Sequence, residues 1–201
     1  MENTPLLKQL VSALQCLPGV GRKSAQRMAY YLLDKDRHGA NHLATILSQS
    51  MQQIGNCERC RDYTESAICE ICANDKRNSQ LLCIVESPAD IAAIEATGSY
   101  SGKYFVLMGS LSPLDGIGPE EIGLDKLKVL VEESDCDEII VATSATVEGE
   151  ATAHFISSMV HNIDNRQISV SRLAQGVPIG GELEYLDSST LALSLANRQS
   201  L

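Results

Sequence analysis

The sequence predicts an α/β chain with a small all-helical N-terminal part, a four-cysteine module after it, and a C-terminal tail. Three observations carry this. Before residue 56, apolar residues recur at helical spacing; between 57 and 72, two Cys-x-x-Cys pairs are separated by eight residues; beyond 80, short apolar runs alternate with helical stretches. Such alternation implies a mostly parallel sheet with helices on both faces. The boundaries read as 1–56, 57–72, 80–171 and 172–201, lengths that allow two small cores with a module between.

Composition sets limits on function. The uninterrupted apolar runs 81–85 and 104–108 are five residues each and 28–33 is six, all too short to cross a membrane. The opening Met1-Glu2-Asn3-Thr4-Pro5 lacks the basic and apolar regions of a secretory signal, so a cytoplasmic chain with reduced thiols is expected. The net charge of −10 hides an asymmetry: residues 1–56 carry +3 and residues 81–201 carry −12. A polyanionic partner would therefore be met at the front of the chain.

Leu6, Leu7, Leu10, Val11 and Leu14 form one apolar face of an opening helix. Leu17-Pro18-Gly19-Val20-Gly21 then turns the chain, and a second helix begins at Arg22. This resembles the helix-hairpin-helix, a module that holds DNA phosphates without reading sequence. A Gly-rich turn at a helix N-terminus offers unpaired N–H groups and positive dipole potential to an anion. The candidate DNA-binding residues are Gly19, Gly21, Arg22, Lys23 and Arg27. The plain alternative is a tight αα-hairpin with solvated cations. A third helix is expected over 40–54, with Leu43, Ile46, Leu47, Met51 and Ile54 on one face. The histidines 38, 42, 154 and 161 are scattered and join no ligand cluster.

Cys57, Cys60, Cys69 and Cys72 have the spacing of a structural Zn²⁺ site, one ion per chain, with no open position for substrate. Two disulfides, four buried thiols or an iron site are the alternatives. Cys16, Cys83 and Cys136 stand alone, Cys83 inside an apolar strand pattern.

Residues 73–80 read as a polar linker. Strands are expected over 81–85, 104–108, 138–142 and 168–171, and helices over 88–96, 124–133 and 148–162. Residues 110–123, rich in Gly and Pro, read as a long exposed loop.

In such sheets, sites form at the carboxyl ends of strands. Glu86 follows the first strand, and Thr143-Ser144-Ala145-Thr146-Val147-Glu148-Gly149-Glu150 follows the third. The arrangement resembles the Toprim domain of topoisomerases, primases and certain nucleases, which places a Glu after the first strand and Asp-x-Asp after the third to hold Mg²⁺. Glu86 matches; Thr143 and Ala145 occupy the Asp positions. Glu148 and Glu150 leave room for a weak Mg²⁺ site, but they equally suit a helix N-terminus as charges complementing its dipole.

Helix-hairpin-helix, four cysteines and Toprim, in that order, resemble the RecR family of bacterial recombination mediators. The likeness extends through Val85-Glu86-Ser87-Pro88-Ala89-Asp90, through 109–119, and through Gly176-Val177-Pro178-Ile179-Gly180-Gly181-Glu182-Leu183-Glu184. The resemblance implies a non-enzymatic factor in repair of gapped DNA. It would act with RecO and RecF to help RecA displace single-strand-binding protein, and would assemble as a homo-oligomer, from dimer to tetrameric ring. Glu86, Glu148 and Glu150 are the candidate partner-binding residues. The tail is Walker-B-like in the family; here it lacks a clean apolar run before its acid and no Walker A loop exists, so no NTPase activity is expected. Two departures stand out: Ser144-Ala145 replaces the usual Asn-Pro, which removes a stiffening ring, and Arg22 replaces a frequent Pro. The rival reading is a Mg²⁺-dependent Toprim nuclease or primase-like enzyme, against which the missing Asp-x-Asp argues.

Overall fold

A computed structural model describes residues 5–163, 167–174, 176–196 and 198. The expected tail over 172–201 therefore lies partly outside the described residues. The chain forms two compact units, Met1–Ile54 and Gly55–Leu201.

The first unit is three helices: α1 (Leu6–Leu14), α2 (Arg22–Asp34) and α3 (Arg37–Gln53). Helix α3 starts earlier than its apolar pattern suggests because Asp36 caps it, its side chain accepting from Gly39 N at 2.7 Å. Among the described residues of this unit only Ala25 and Ala29 are buried; they lie one turn apart on α2, and side chains this small let helices approach closely. The stripe Leu43, Ile46, Leu47, Met51 and Ile54 is exposed, Met51 at 77%.

The second unit opens with a short hairpin, β1 (Gly55–Asn56) and β2 (Tyr63–Thr64), and a single turn of helix, α4 (Glu70–Ala73). The sheet and its helices follow as β3 (Asn78–Val85), α5 (Pro88–Ala96), β4 (Gly102–Val106), α6 (Leu124–Glu133), β5 (Glu138–Ala142), α7 (Val147–His161) and β6 (Ser169–Arg172). Helix α8 (Ser188–Ala196) lies in the tail. The four strands are all parallel, in the order β4-β3-β5-β6.

Alternation along each strand builds two cores. Leu82, Ile84, Phe105, Ile139 and Val141 face α6 and α7, meeting Leu127, Val131, Ile156 and Val160. Cys83, Val85, Tyr104 and Val106 face the other way, onto Ile91 of α5 and Ile71 of α4. Helices thus cover both faces, and truncating a fully buried side chain such as Leu127 to Ala would cost about 2–5 kcal/mol.

Several expected bounds shift by one to three residues, β4 at both ends (Gly102–Val106 in place of 104–108). Strand β3 begins at Asn78, not 81: Asn78 N donates to Ser101 O and Asp137 N to Gln80 O, so the ladder runs on past the apolar core. Strand β4 ends at Val106 because Met108 turns the chain with φ +62°, although Leu107 remains buried. The 110–123 loop is more ordered than its composition suggests. It holds a bridge between Ser112 and Ile117, a 3-10 turn over Pro113–Asp115, and a buried Ile122.

Candidate metal centre and nucleic-acid interface

Knuckle geometry places the four cysteines. Arg61 N donates to Cys57 O, closing the first turn, and Cys69 caps α4, its sulfur accepting from Cys72 N at 3.4 Å. The four Sγ atoms are buried and lie within 4.8 Å of one another, with Cys60 and Cys69 at 3.5 Å. Tetrahedral zinc with arms of about 2.3 Å separates its sulfurs by about 3.8 Å, so this donor set fits a four-thiolate metal. All seven cysteines are free in the structure, and the four sulfurs stand at metal-ligand rather than disulfide spacing. Burial opposes ionisation of Cys57, but N–H donors from Cys60, Cys69 and Arg59 outweigh it and bring the thiol down to about 7. Hydrogen bonding to Cys72 and then burial push Cys60 far up; burial lifts Cys69 to about 11. A cation at the centre would favour the thiolate at each position.

The module packs against the sheet. Val106 N donates to Cys60 O at 2.9 Å, so the knuckle covers the open edge of β4. Lys103 Nζ donates to the carbonyls of Ile71, Cys72 and Asn74 at 2.9, 3.0 and 2.9 Å, satisfying backbone groups at the end of α4. Arg61 reaches the carbonyls of Leu107 and Ile122 at 3.1 and 2.5 Å and lies over the Phe105 ring at 5.7 Å. Burial lowers its pKa and nearby Asp125 opposes that shift. Sequence reasoning missed Arg61 and Lys103. Their cationic character was visible, but not the carbonyls they serve.

At the carboxyl ends of the strands, Glu86 meets the loop after β5. Ser144 donates to Glu86 Oε1 from its backbone N at 3.1 Å and its hydroxyl at 3.0 Å. Thr143 donates to Gly149 O at 3.0 Å, a bond an ionised Asp at this position could not make. Gly149 is required: a Cβ there would meet Ser144 O at 2.1 Å. Thr146 caps α7, accepting from Gly149 N at 3.1 Å, which sets Glu148 and Glu150 in the first turn. Glu150 pairs with Arg172. Glu86, Glu148 and Glu150 do not gather; among the described residues the four cysteines are the cluster able to hold a metal.

In the helical unit, Gly19 turns the chain with φ +77°. Gly21 caps α2 without a side-chain acceptor, at an ordinary φ of −77°. A Cβ on Gly21 would meet nothing within 4 Å, so nothing within the chain demands glycine there. Arg22, Lys23 and Arg27 are exposed, while Ala25 between them is buried.

Family models match along the chain in the same order. Residues 7–51 match the helix-hairpin-helix of RecR, 80–174 the Toprim domain, and 176–199 the C-terminal region of RecR. The chain belongs to the RecR family. Its domains give it the role of a recombination mediator in DNA repair, and its four cysteines fall between the RecR helix-hairpin-helix and the Toprim domain, where they form a metal-binding cluster of zinc-finger type. No helix among the described residues is long and apolar enough to cross a membrane.

Proposed function

We propose that this RecR family chain binds DNA without sequence preference through Gly19, Gly21, Arg22, Lys23 and Arg27, and helps RecA load onto gapped DNA together with RecO and RecF. One observation carries the DNA reading. The uncapped start of α2, open around Gly21, stands beside three exposed cations in the only net-positive stretch of the chain. Backbone N–H groups can take a phosphate there, with the cations on its neighbours.

The remaining parts have distinct roles. The metal is one structural Zn²⁺ per chain, favoured by four thiolates with no open position. Residues 1–56, 57–72, 80–171 and 172–201 act as DNA-binding, zinc, Toprim and tail regions. The exposed stripe on α3 supports assembly into a homo-oligomer, from dimer to tetrameric ring, in which several hairpins engage one DNA molecule. Residues 81–201, at −12, repel DNA and steer in a basic partner such as RecO, with Glu86, Glu148 and Glu150 at the strand ends. The chain is not an enzyme in this reading: Thr143 and Ala145 supply no carboxylates beside Glu86 for Mg²⁺ chemistry. It works in the cytoplasm, at damaged chromosomal DNA.

Replacing Lys23 and Arg27 by Ala is the test. Affinity falls similarly on unrelated sequences and the salt slope becomes shallower by about two, one per lost phosphate contact. A double variant that binds as tightly as the parent at matched salt places the interface elsewhere.

A further inference from the structure

We propose that Arg61 ties the cysteine module to the 108–121 loop, so that the metal-bound state of the cysteines sets the order of the loop at the carboxyl end of the sheet.

The connection is short at one end. Arg61 directly follows Cys60, and its backbone is held in the left-handed region at φ +67°, an uncommon conformation for a non-glycine residue. Two bonds belonging to the module impose it: Arg61 N donates to Cys57 O at 2.9 Å, and Asn56 Nδ2 donates to Arg61 O at 2.9 Å. Its direction therefore depends on the knuckle keeping its shape. A four-thiolate knuckle keeps that shape through its metal.

The other end is specific. One guanidinium nitrogen, Nη1, donates to Leu107 O and to Ile122 O, the carbonyls that bracket 108–121 on either side. A single side chain thus closes the base of the loop. Gly123 makes room for it: a Cβ at that position would lie 2.2 Å from Nη1. Within the bracket, Leu111 and Ile117 pack against the sheet core and Pro119 O accepts from Leu124 N at 2.9 Å. Gly109 N donates to Glu86 O at 2.9 Å, and Leu111 N to Thr152 Oγ1 at 2.9 Å. These two lead directly to the strand ends where Glu86 and the start of α7 lie, so disorder at the base would pass to that face. Arg61 is thus the module side chain whose hydrogen bonds reach the two residues flanking the loop.

The inference rests on the metal reading of the four cysteines. It is tested by hydrogen exchange on the full chain, zinc-loaded and after chelation, with zinc measured in each sample. In the parent, chelation raises exchange across 57–74 and also, about tenfold or more, across 108–121, as expected for loss of two bonds from a charged donor. In zinc-loaded Arg61→Ala, the module stays protected while 108–121 already exchanges fast, and chelation adds no further change there. Arg61→Lys, which keeps the charge but cannot reproduce the planar fork, falls between. Parent protein whose loop keeps its protection after zinc removal overturns the proposal, as do Arg61→Ala and chelation effects that multiply independently. Preparations that contain no metal overturn the metal reading along with it, and the zinc measurement distinguishes that failure from a loop indifferent to zinc. Should Arg61→Ala not fold, the parent and Arg61→Lys decide the matter between them.

Discussion

Ser144 donates twice to the same oxygen of Glu86, once from its backbone and once from its hydroxyl. The two residues follow adjacent strands, β3 and β5, whose ends are paired at Val85 and Ala142. The carboxylate that Toprim enzymes offer to Mg²⁺ is here fastened to the neighbouring loop on one side. With Ser144 in place of Asn, a hydroxyl supplies the polar contact, and the backbone N–H contributes as much again.

This arrangement predicts a structural, non-catalytic Glu86. Ser144→Ala loses the hydroxyl bond but keeps the backbone one, lowering stability by about 0.5–1 kcal/mol in urea unfolding, since the site is exposed. In the non-enzyme reading proposed above, the parent and Glu86→Gln alike are expected to leave gapped or supercoiled DNA intact in the presence of Mg²⁺ or Mn²⁺. Cleavage, relaxation or primer synthesis by the parent that disappears in Glu86→Gln would reinstate the nuclease reading.

Metal content gives a second prediction. Elemental analysis finds about one zinc per chain, and Cys60→Ser or Cys72→Ser lowers it. Metal-coupled folding in isolated zinc modules is worth on the order of 10 kcal/mol, and less is at stake here because Lys103, Arg61 and the β4 edge also hold the module. Protease cleavage within 57–74 therefore rises in the variants while the sheet core stays resistant. Purified protein without zinc or iron removes the basis of this prediction.

A third prediction concerns pH. Arg77 forks onto Glu95, with one bond at 2.9 Å, and Tyr104 donates to the same carboxylate at 2.5 Å. The Arg77 bonds, helped by Tyr104 and opposed by burial, hold the Glu95 carboxyl below its usual range. A depressed folded-state pKa contributes stability that is complete above the unfolded value, about 4.3, and is lost as pH falls through the folded one. The parent should lose about 1–2 kcal/mol from this network on acidification from pH 5 toward 3. Glu95→Gln should be less stable at pH 7 and show a flatter profile over that window. Denaturant midpoints measured along the pH series check it; parallel profiles for the two proteins count against the network.

Much of this was legible in the sequence because it is local. Helical spacing, the Pro18-Gly19 turn, the cysteine pairs and the alternation of runs each depend on residues a few positions apart, and α5, α6 and β5 fall where those signals put them. The start of α3 was also readable in Asp36, a capping residue whose signal the apolar stripe obscured. What only the tertiary structure decided are the bonds between residues far apart in the chain. Arg61 meets carbonyls 46 and 61 residues away, and Ser144 meets Glu86 across 58. Such contacts are set by sheet register and strand order, which bring backbone acceptors to side chains whose own neighbours in sequence say nothing about them. A lone Arg after a cysteine knuckle therefore looks like a surface cation until β4 and the loop after it are packed beside it.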